Sequence, residues 1–167
     1  LGGPPLTGAV EHVVDGDTFD LGGTRIRLAG IDAPEHDQSC GRADGTDWAC
    51  GTTATARLRA LLRGREVACA ATDFDRYGRT VAACRSGGTD LGEVMVHEGL
   101  AVALGPYQAA EADARAQHLG IWQGGFMRPA DWRRRSDPAE PPQVSPGEGN
   151  PSRFERFVAW LTGLLFP

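Results

Sequence analysis

From residue 8 the chain alternates apolar and polar positions in short runs. Ala9, Val10, Val13 and Val14 form the first, Phe19 and Leu21 the second, and Ile26 and Leu28 flank Arg27 in the third. A Gly22-Gly23 pair separates the last two runs. Alternation of period two between glycine turns predicts a three-stranded meander. Residues 36–51 lose the pattern and read as a long polar loop rich in Gly and Asp. Ala54, Leu58, Leu61 and Leu62 then recur at helical spacing, predicting a helix over 52–63 that stops at Gly64. Two more strands, near 66–72 and 79–85, flank the tight turn Asp75-Arg76-Tyr77-Gly78. Asp90 is placed to cap a short helix over 91–98. Residues 100–104 form a short extended apolar run, and 109–119 an alanine-rich helix ended by Gly120. The order βββ-α-ββ-α-(β)-α predicts an α+β fold, a five-stranded barrel of the OB type with three helices.

The ends of the chain differ from this middle. Residues 1–7 are rich in Gly and Pro and are expected to be disordered, so the domain is drawn over 8–135. Residues 136–151 are rich in Pro, Ser, Glu and Gly and read as a linker. Over 152–167, Phe154, Phe157, Val158, Leu161, Leu164 and Leu165 make the apolar stripe of a short amphipathic helix. It is too short to span a bilayer. Docking on the domain or on another copy is the first reading, and peripheral attachment to a membrane surface is the second. A chain of 167 residues fits one domain with a self-sufficient core.

Charge and cysteine content narrow the chemistry. The formal net charge is −5, whereas a protein that held nucleic acid by phosphate neutralisation alone should be basic. A bound divalent cation would change that balance locally. All 17 basic residues are arginine. The bias runs the whole length and reads mainly as composition, although guanidinium forks suit phosphate. Cys40, Cys50, Cys69 and Cys84 contain no CxxC, which makes a structural zinc site a poor fit. Two disulfides are expected, with three pairings open. Cys69 and Cys84 stand equally far from the centre of the 75–78 turn, which sets them on facing strands unless a bulge at Gly78 shifts the register. Cys40 and Cys50 would then close the intervening loop. The alternative is four buried thiols. Disulfides imply an oxidising compartment. With Leu1 rather than methionine at the start, the expectation is a secreted or periplasmic protein whose leader has been removed, or a chain that begins inside a longer one.

The chemistry concentrates in residues 15–37, where Asp15, Asp17, Asp20, Asp32, Glu35 and Asp37 face only Arg25 and Arg27. Such crowding is costly without positive charge among the acids, and hard oxygen donors suit Ca²⁺ or Mg²⁺. By itself Asp-Gly-Asp-Thr is common turn chemistry. Arg27, however, faces away from Ile26 and Leu28 on its strand. Pro34 stiffens the backbone between Asp32 and Glu35, and Arg79 follows directly on the tight turn. His12, His36, His97 and His118 lack ligand spacing. Trp122, Trp132 and Phe126 read as packing residues, and Arg133-Arg134-Arg135 as the solvated end of the domain, with nucleic-acid contact as the alternative.

Three segments, Val14-Asp15-Gly16-Asp17-Thr18, Arg27-Leu28-Ala29-Gly30-Ile31-Asp32-Ala33-Pro34-Glu35 and Asp75-Arg76-Tyr77-Gly78-Arg79, resemble in order the signature motifs of the staphylococcal nuclease (thermonuclease) family. The resemblance covers about residues 8–135. It implies a calcium-dependent nuclease that hydrolyses DNA and RNA and leaves 3′-phosphate ends. Asp17 and Asp32 resemble the side-chain ligands of one Ca²⁺ ion, and the carbonyl of Ala33 its backbone ligand, at a position where the family often has threonine. Glu35 resembles the residue that positions or deprotonates the attacking water, and Arg27 and Arg79 the pair that holds the scissile phosphate. No small-molecule cofactor is implied. The well-known family member has tyrosines lining the nucleotide pocket, whereas residues 101–106 here are largely apolar. Tyr107 either faces the base or packs before the last helix. The alternative function is a non-catalytic nucleic-acid-binding or protein-binding module that keeps the barrel and loses the site; the full set Asp17, Arg27, Asp32, Glu35 and Arg79 favours the enzyme.

Overall fold

A computed structural model describes residues 3–136 of the chain. The linker and amphipathic helix expected beyond Ser136 lie outside the described residues. The elements run β1 (Leu6–Val13), β2 (Thr18–Leu21), β3 (Thr24–Leu28), β4 (Ile31–Asp32), β5 (Cys40–Gly41), β6 (Asp47–Trp48), α1 (Cys50–Leu62), β7 (Glu66–Phe74), β8 (Thr80–Ser86), β9 (Thr89–Asp90), α2 (Leu91–His97), β10 (Val102–Ala103), α3 (Gln108–Ala116), a 3₁₀ turn (Gly120–Gln123) and α4 (Pro129–Ser136). The first strand starts at Leu6, inside the segment expected to be disordered, because residues 6–9 pair with β7.

Strands β1, β2 and β3 form the expected meander, and β1 continues through β7 to β8. A parallel pairing of β3 with β8 closes the ring into a five-stranded barrel, with Arg27 opposite Val81. Closure of this kind removes the open sheet edges. The interior is filled by alternating side chains: Phe19, Ile26, Leu28, Val67 and Ala82 are buried, and Leu58, Met95 and Val96 pack onto them from α1 and α2. A second small core gathers Val102, Ile121 and one disulfide, flanked by Trp48, Trp122 and Phe126.

Both expected disulfides are formed, Cys40 with Cys50 and Cys69 with Cys84. The register explains why Cys69 meets Cys84 despite an irregular turn. Phe74 pairs with Thr80, one residue off the symmetric register, and a bulge between Ala71 and Asp73 restores the alignment before Cys69 is reached. The two irregularities cancel.

Among the described residues there are four α-helices rather than the three expected for the domain. Helix α4 includes Arg133-Arg134-Arg135, which the sequence reads as the solvated end of the domain. Pro129 opens it, a position where a missing N–H costs nothing and the fixed φ suits the helix.

Candidate active site

The turn between β1 and β2 is shaped by its own side chains. Asp15 Oδ1 accepts from the Asp17 N–H at 3.0 Å, and Thr18 Oγ1 donates to Asp17 Oδ1 at 2.8 Å. Gly16 is required by close approach, since a Cβ there would meet the Cβ atoms of Ala33 and Ala54 at 2.8 Å. The turn is therefore wedged between α1 and the segment after β4. Asp17 Oδ2 accepts the Ala33 N–H at 3.0 Å, tying the first motif to the second.

Asp32 is held from behind by the pairing of β4 with β10, where it faces Val102. Arg27 Nη2 donates to Asp32 Oδ1 at 2.7 Å and to Asp17 Oδ2 at 3.4 Å. One guanidinium nitrogen thus joins two buried carboxylates. Burial pushes the Asp17 carboxyl up to about 6; Arg27 opposes this and Asp15 adds to it. For Arg27, burial works against the charged form, but Asp17 and Asp32 outweigh it and raise its pKa.

Glu35 sits on a tight turn that is locked by Gln38. The Gln38 N–H donates to the Glu35 carbonyl at 2.8 Å. The Glu35 N–H donates to Gln38 Oε1 at 3.2 Å, and Gln38 Nε2 donates to the Met127 carbonyl at 2.6 Å. The first turn of α1 presses on the same backbone: a Cβ on Gly51 would fall 1.6 Å from the Glu35 carbonyl oxygen. Arg79 is anchored differently, with Nε donating to Asp75 Oδ2 at 2.6 Å and its backbone N–H to Asp75 Oδ1 at 3.0 Å. Because β3 and β8 are parallel neighbours, with Arg27 opposite Val81, Arg79 directly before β8 opens onto the same side as Arg27.

Asp17, Arg27, Asp32, Glu35 and Arg79 all line one open cleft of about 720 Å³, together with Tyr77, Leu104 and Arg133. The residues singled out in three separate motifs are brought together. Tyr107 is not brought to this cleft. Its hydroxyl donates to Asp90 Oδ1 at 3.0 Å, and its ring lies against Gly92 and Gly30, where a Cβ would come within 2.8 and 3.3 Å. Burial first, then the bond to Asp90, pushes its phenol up to about 12.

Sequence reasoning missed three cleft features. Tyr77 is exposed at the mouth, with the Arg79 guanidinium 5.5 Å from its ring centroid. Gln38 bonds Glu35 to a segment 89 residues away. Arg133 reaches in from α4, donating to Asp32 Oδ1 and Oδ2 at 3.0 and 3.1 Å and to Glu35 Oε1 at 2.7 Å. Pro129 was the available sign of a helix there; nothing local marked which arginine of the run turns inward.

The donor set fits a hard divalent cation. Asp17 and Asp32 both approach the same Arg27 nitrogen, which sets one oxygen of each carboxylate around a common point. Among the described residues, no group of three His, Cys, Asp or Glu side chains converges as a metal cluster. A cation here would therefore draw on backbone oxygen such as the Ala33 carbonyl, and on solvent. Two carboxylates, a third acid on a rigid turn and two arginines form a constellation suited to a dianionic phosphoryl transition state.

The family model described as staphylococcal nuclease homologue matches residues 25–124, which include Arg27, Asp32, Glu35 and Arg79. A succinoglycan biosynthesis protein, ExoI, of Rhizobium meliloti is 36% identical over 126 residues, a match covering 71% of this chain and 65%, less than two thirds, of that protein. A micrococcal nuclease of Shigella flexneri is 35% identical over 151 residues, covering 77% of this chain and 81% of the relative. An uncharacterized endonuclease of Escherichia coli O157:H7 is 31% identical over 142 residues, covering 78% and 86%.

Proposed function

Since the chain belongs to the staphylococcal nuclease family, we propose that it is a calcium-dependent nuclease that hydrolyses phosphodiester bonds of DNA and RNA and leaves 3′-phosphate ends. The observation that carries this reading is the convergence of Asp17, Arg27, Asp32, Glu35 and Arg79 on one cleft.

Asp17, Asp32 and the Ala33 carbonyl would hold one Ca²⁺ ion. When bound, the ion supplies positive charge to a phosphoryl oxygen and offsets the repulsion between an acidic protein and a polyanion. Arg27 and Arg79 donate to the remaining phosphoryl oxygens, and their fixed forks favour the charge that builds during displacement. Arg27 is held by two carboxylates and Arg79 by Asp75, so neither has to be organised at the moment of reaction. Glu35 orients the attacking water or takes its proton. The new bond joins the water oxygen to phosphorus, the P–O5′ bond breaks, the 5′ oxygen takes a proton from solvent and leaves as a 5′-hydroxyl, and the phosphate stays on the 3′ oxygen. Two disulfides fit an oxidising setting, outside the cell or in a periplasm.

The test is an end-group analysis of single-stranded DNA and RNA digested with Ca²⁺ and with EDTA. Fragments ending in 3′-phosphate, formed only with Ca²⁺, are expected. Fragments with 5′-phosphate and 3′-hydroxyl ends, or equal digestion in EDTA, would contradict it.

A further inference from the structure

Helix α4 brings a third guanidinium into the cleft, and the atoms it engages are those that the mechanism needs free. Arg133 Nη1 and Nη2 donate to the two oxygens of Asp32 at 3.0 and 3.1 Å, a paired fork on one carboxylate. The same Nη1 donates to Glu35 Oε1 at 2.7 Å. Arg27 Nη2 already donates to Asp32 Oδ1 at 2.7 Å. Both oxygens of Asp32 therefore have guanidinium partners, and so does one oxygen of Glu35.

A divalent cation on Asp32 and a guanidinium forked onto the same two oxygens exclude one another. They compete for the same lone pairs, and their like charges would stand within a few ångströms. One arginine has to yield. Arg27 rises from the outer face of β3, a strand of the closed barrel, its side chain 16% exposed, and bonds to Asp17 as well as Asp32. Arg133 stands on an eight-residue helix, its side chain 43% exposed. Its long stem can rotate into solvent while α4 stays attached through Trp132 Nε1, which donates to Asp37 Oδ1 at 3.2 Å.

We propose that Arg133 is a built-in counter-cation: it occupies Asp32 and Glu35 in the resting protein and is displaced when a divalent cation binds, so that its release sets the cation affinity of the site. This rests on the reading that Asp17 and Asp32 hold the cation, and adds a resident competitor to it. The bridge also keeps Glu35 from water chemistry until the cation arrives, because the guanidinium that leaves Asp32 is the one that covers Glu35.

The experiment is calorimetric titration of Ca²⁺ alone, without nucleic acid, into the full chain and into Arg133→Ala, Arg133→Gln and Asp17→Asn. Removing a charged hydrogen-bonded competitor should tighten Ca²⁺ binding roughly tenfold in both Arg133 variants, with binding lost in Asp17→Asn. Equal or weaker binding in the Arg133 variants, with wild-type binding intact and lost in Asp17→Asn, would overturn the role of Arg133 alone. No binding heat in any form would overturn the cation site and the proposal with it. A measurement on the wild-type chain guards against variants that misfold. In arginine-labelled protein, Ca²⁺ should move one guanidinium resonance, assigned through Arg133→Lys, from a slowly exchanging to a rapidly exchanging state. An unmoved resonance at saturating Ca²⁺ would overturn the proposal.

Discussion

Arg27 Nη2 lies 2.7 Å from Asp32 Oδ1, linking a barrel strand to the segment that leaves it five residues later. The same nitrogen reaches Asp17, so this one side chain compensates two buried acids. Arg27→Ala leaves both without that partner. Urea unfolding at pH 7 in chelator should show a loss of about 3 kcal/mol, the scale of a broken buried ion pair. A loss below about 0.5 kcal/mol, typical of a surface pair, would show that the bridge contributes little.

Asp17 gives the protein a pH dependence of known sign. Its carboxyl titrates near 6 in the folded state against 3.8 for the free group, mainly through burial. The folded state thus holds the proton more tightly than the unfolded one. The cost of ionising it is absent below pH 3.8, grows as pH rises and is complete above pH 6. Asp17→Asn removes that cost. In chelator the variant should exceed wild type by up to about 3 kcal/mol at pH 7, with the gain gone by about pH 4. A gain that does not depend on pH would place its origin elsewhere.

Gly51 is the strut behind Glu35. A methyl group there collides with the Glu35 carbonyl, which is backbone and cannot rotate away. Gly51→Ala should destabilise by about 1–3 kcal/mol and cut activity more than tenfold, by displacing Glu35, while Ca²⁺ binding through Asp17 and Asp32 persists. Parallel thermal melts, rates and Ca²⁺ titrations separate these effects; wild-type activity would mean that the Glu35 turn adapts freely.

The Cys69–Cys84 bridge closes a separation of 15 residues between facing strands. Replacing both with alanine should cost about 3 kcal/mol by the loop-entropy account. Activity below the melting transition should be retained, because neither residue lines the cleft. Denaturant curves and rates measured together check this, and a lost activity in a folded variant would tie the hairpin to the site.

What could be read from the sequence was local or periodic. The strands, α1 and the Cys69–Cys84 pairing follow from spacing about a turn, and the site acids and Arg27 fall within 20 residues of each other. Barrel closure, which brings Arg79 beside Arg27, follows from the strand count rather than from any pair of residues. The rest depends on contacts across the chain. Arg133 meets Asp32 over 101 residues, and Gln38 meets Met127 over 89, with no pattern near either end to announce them. For Tyr107 the sequence allows two orientations, facing the base or packing before the last helix. The small slot left by Gly30 and Gly92, and the Asp90 acceptor, take the ring away from the cleft.

In the proposed function, this cleft hydrolyses phosphodiesters with Ca²⁺ held by the acids and phosphate held by the arginines. Arg79 tests it most directly, since its guanidinium is anchored only to Asp75 among the hydrogen bonds described and its loss should spare the fold. Digestion of single-stranded DNA by wild type and Arg79→Ala, each with Ca²⁺ and with EDTA, is the measurement. Rapid cleavage by wild type with Ca²⁺, a fall of about 10²–10³-fold in the variant at unchanged melting temperature, and none in EDTA are predicted. Equal degradation in all four reactions would contradict the account.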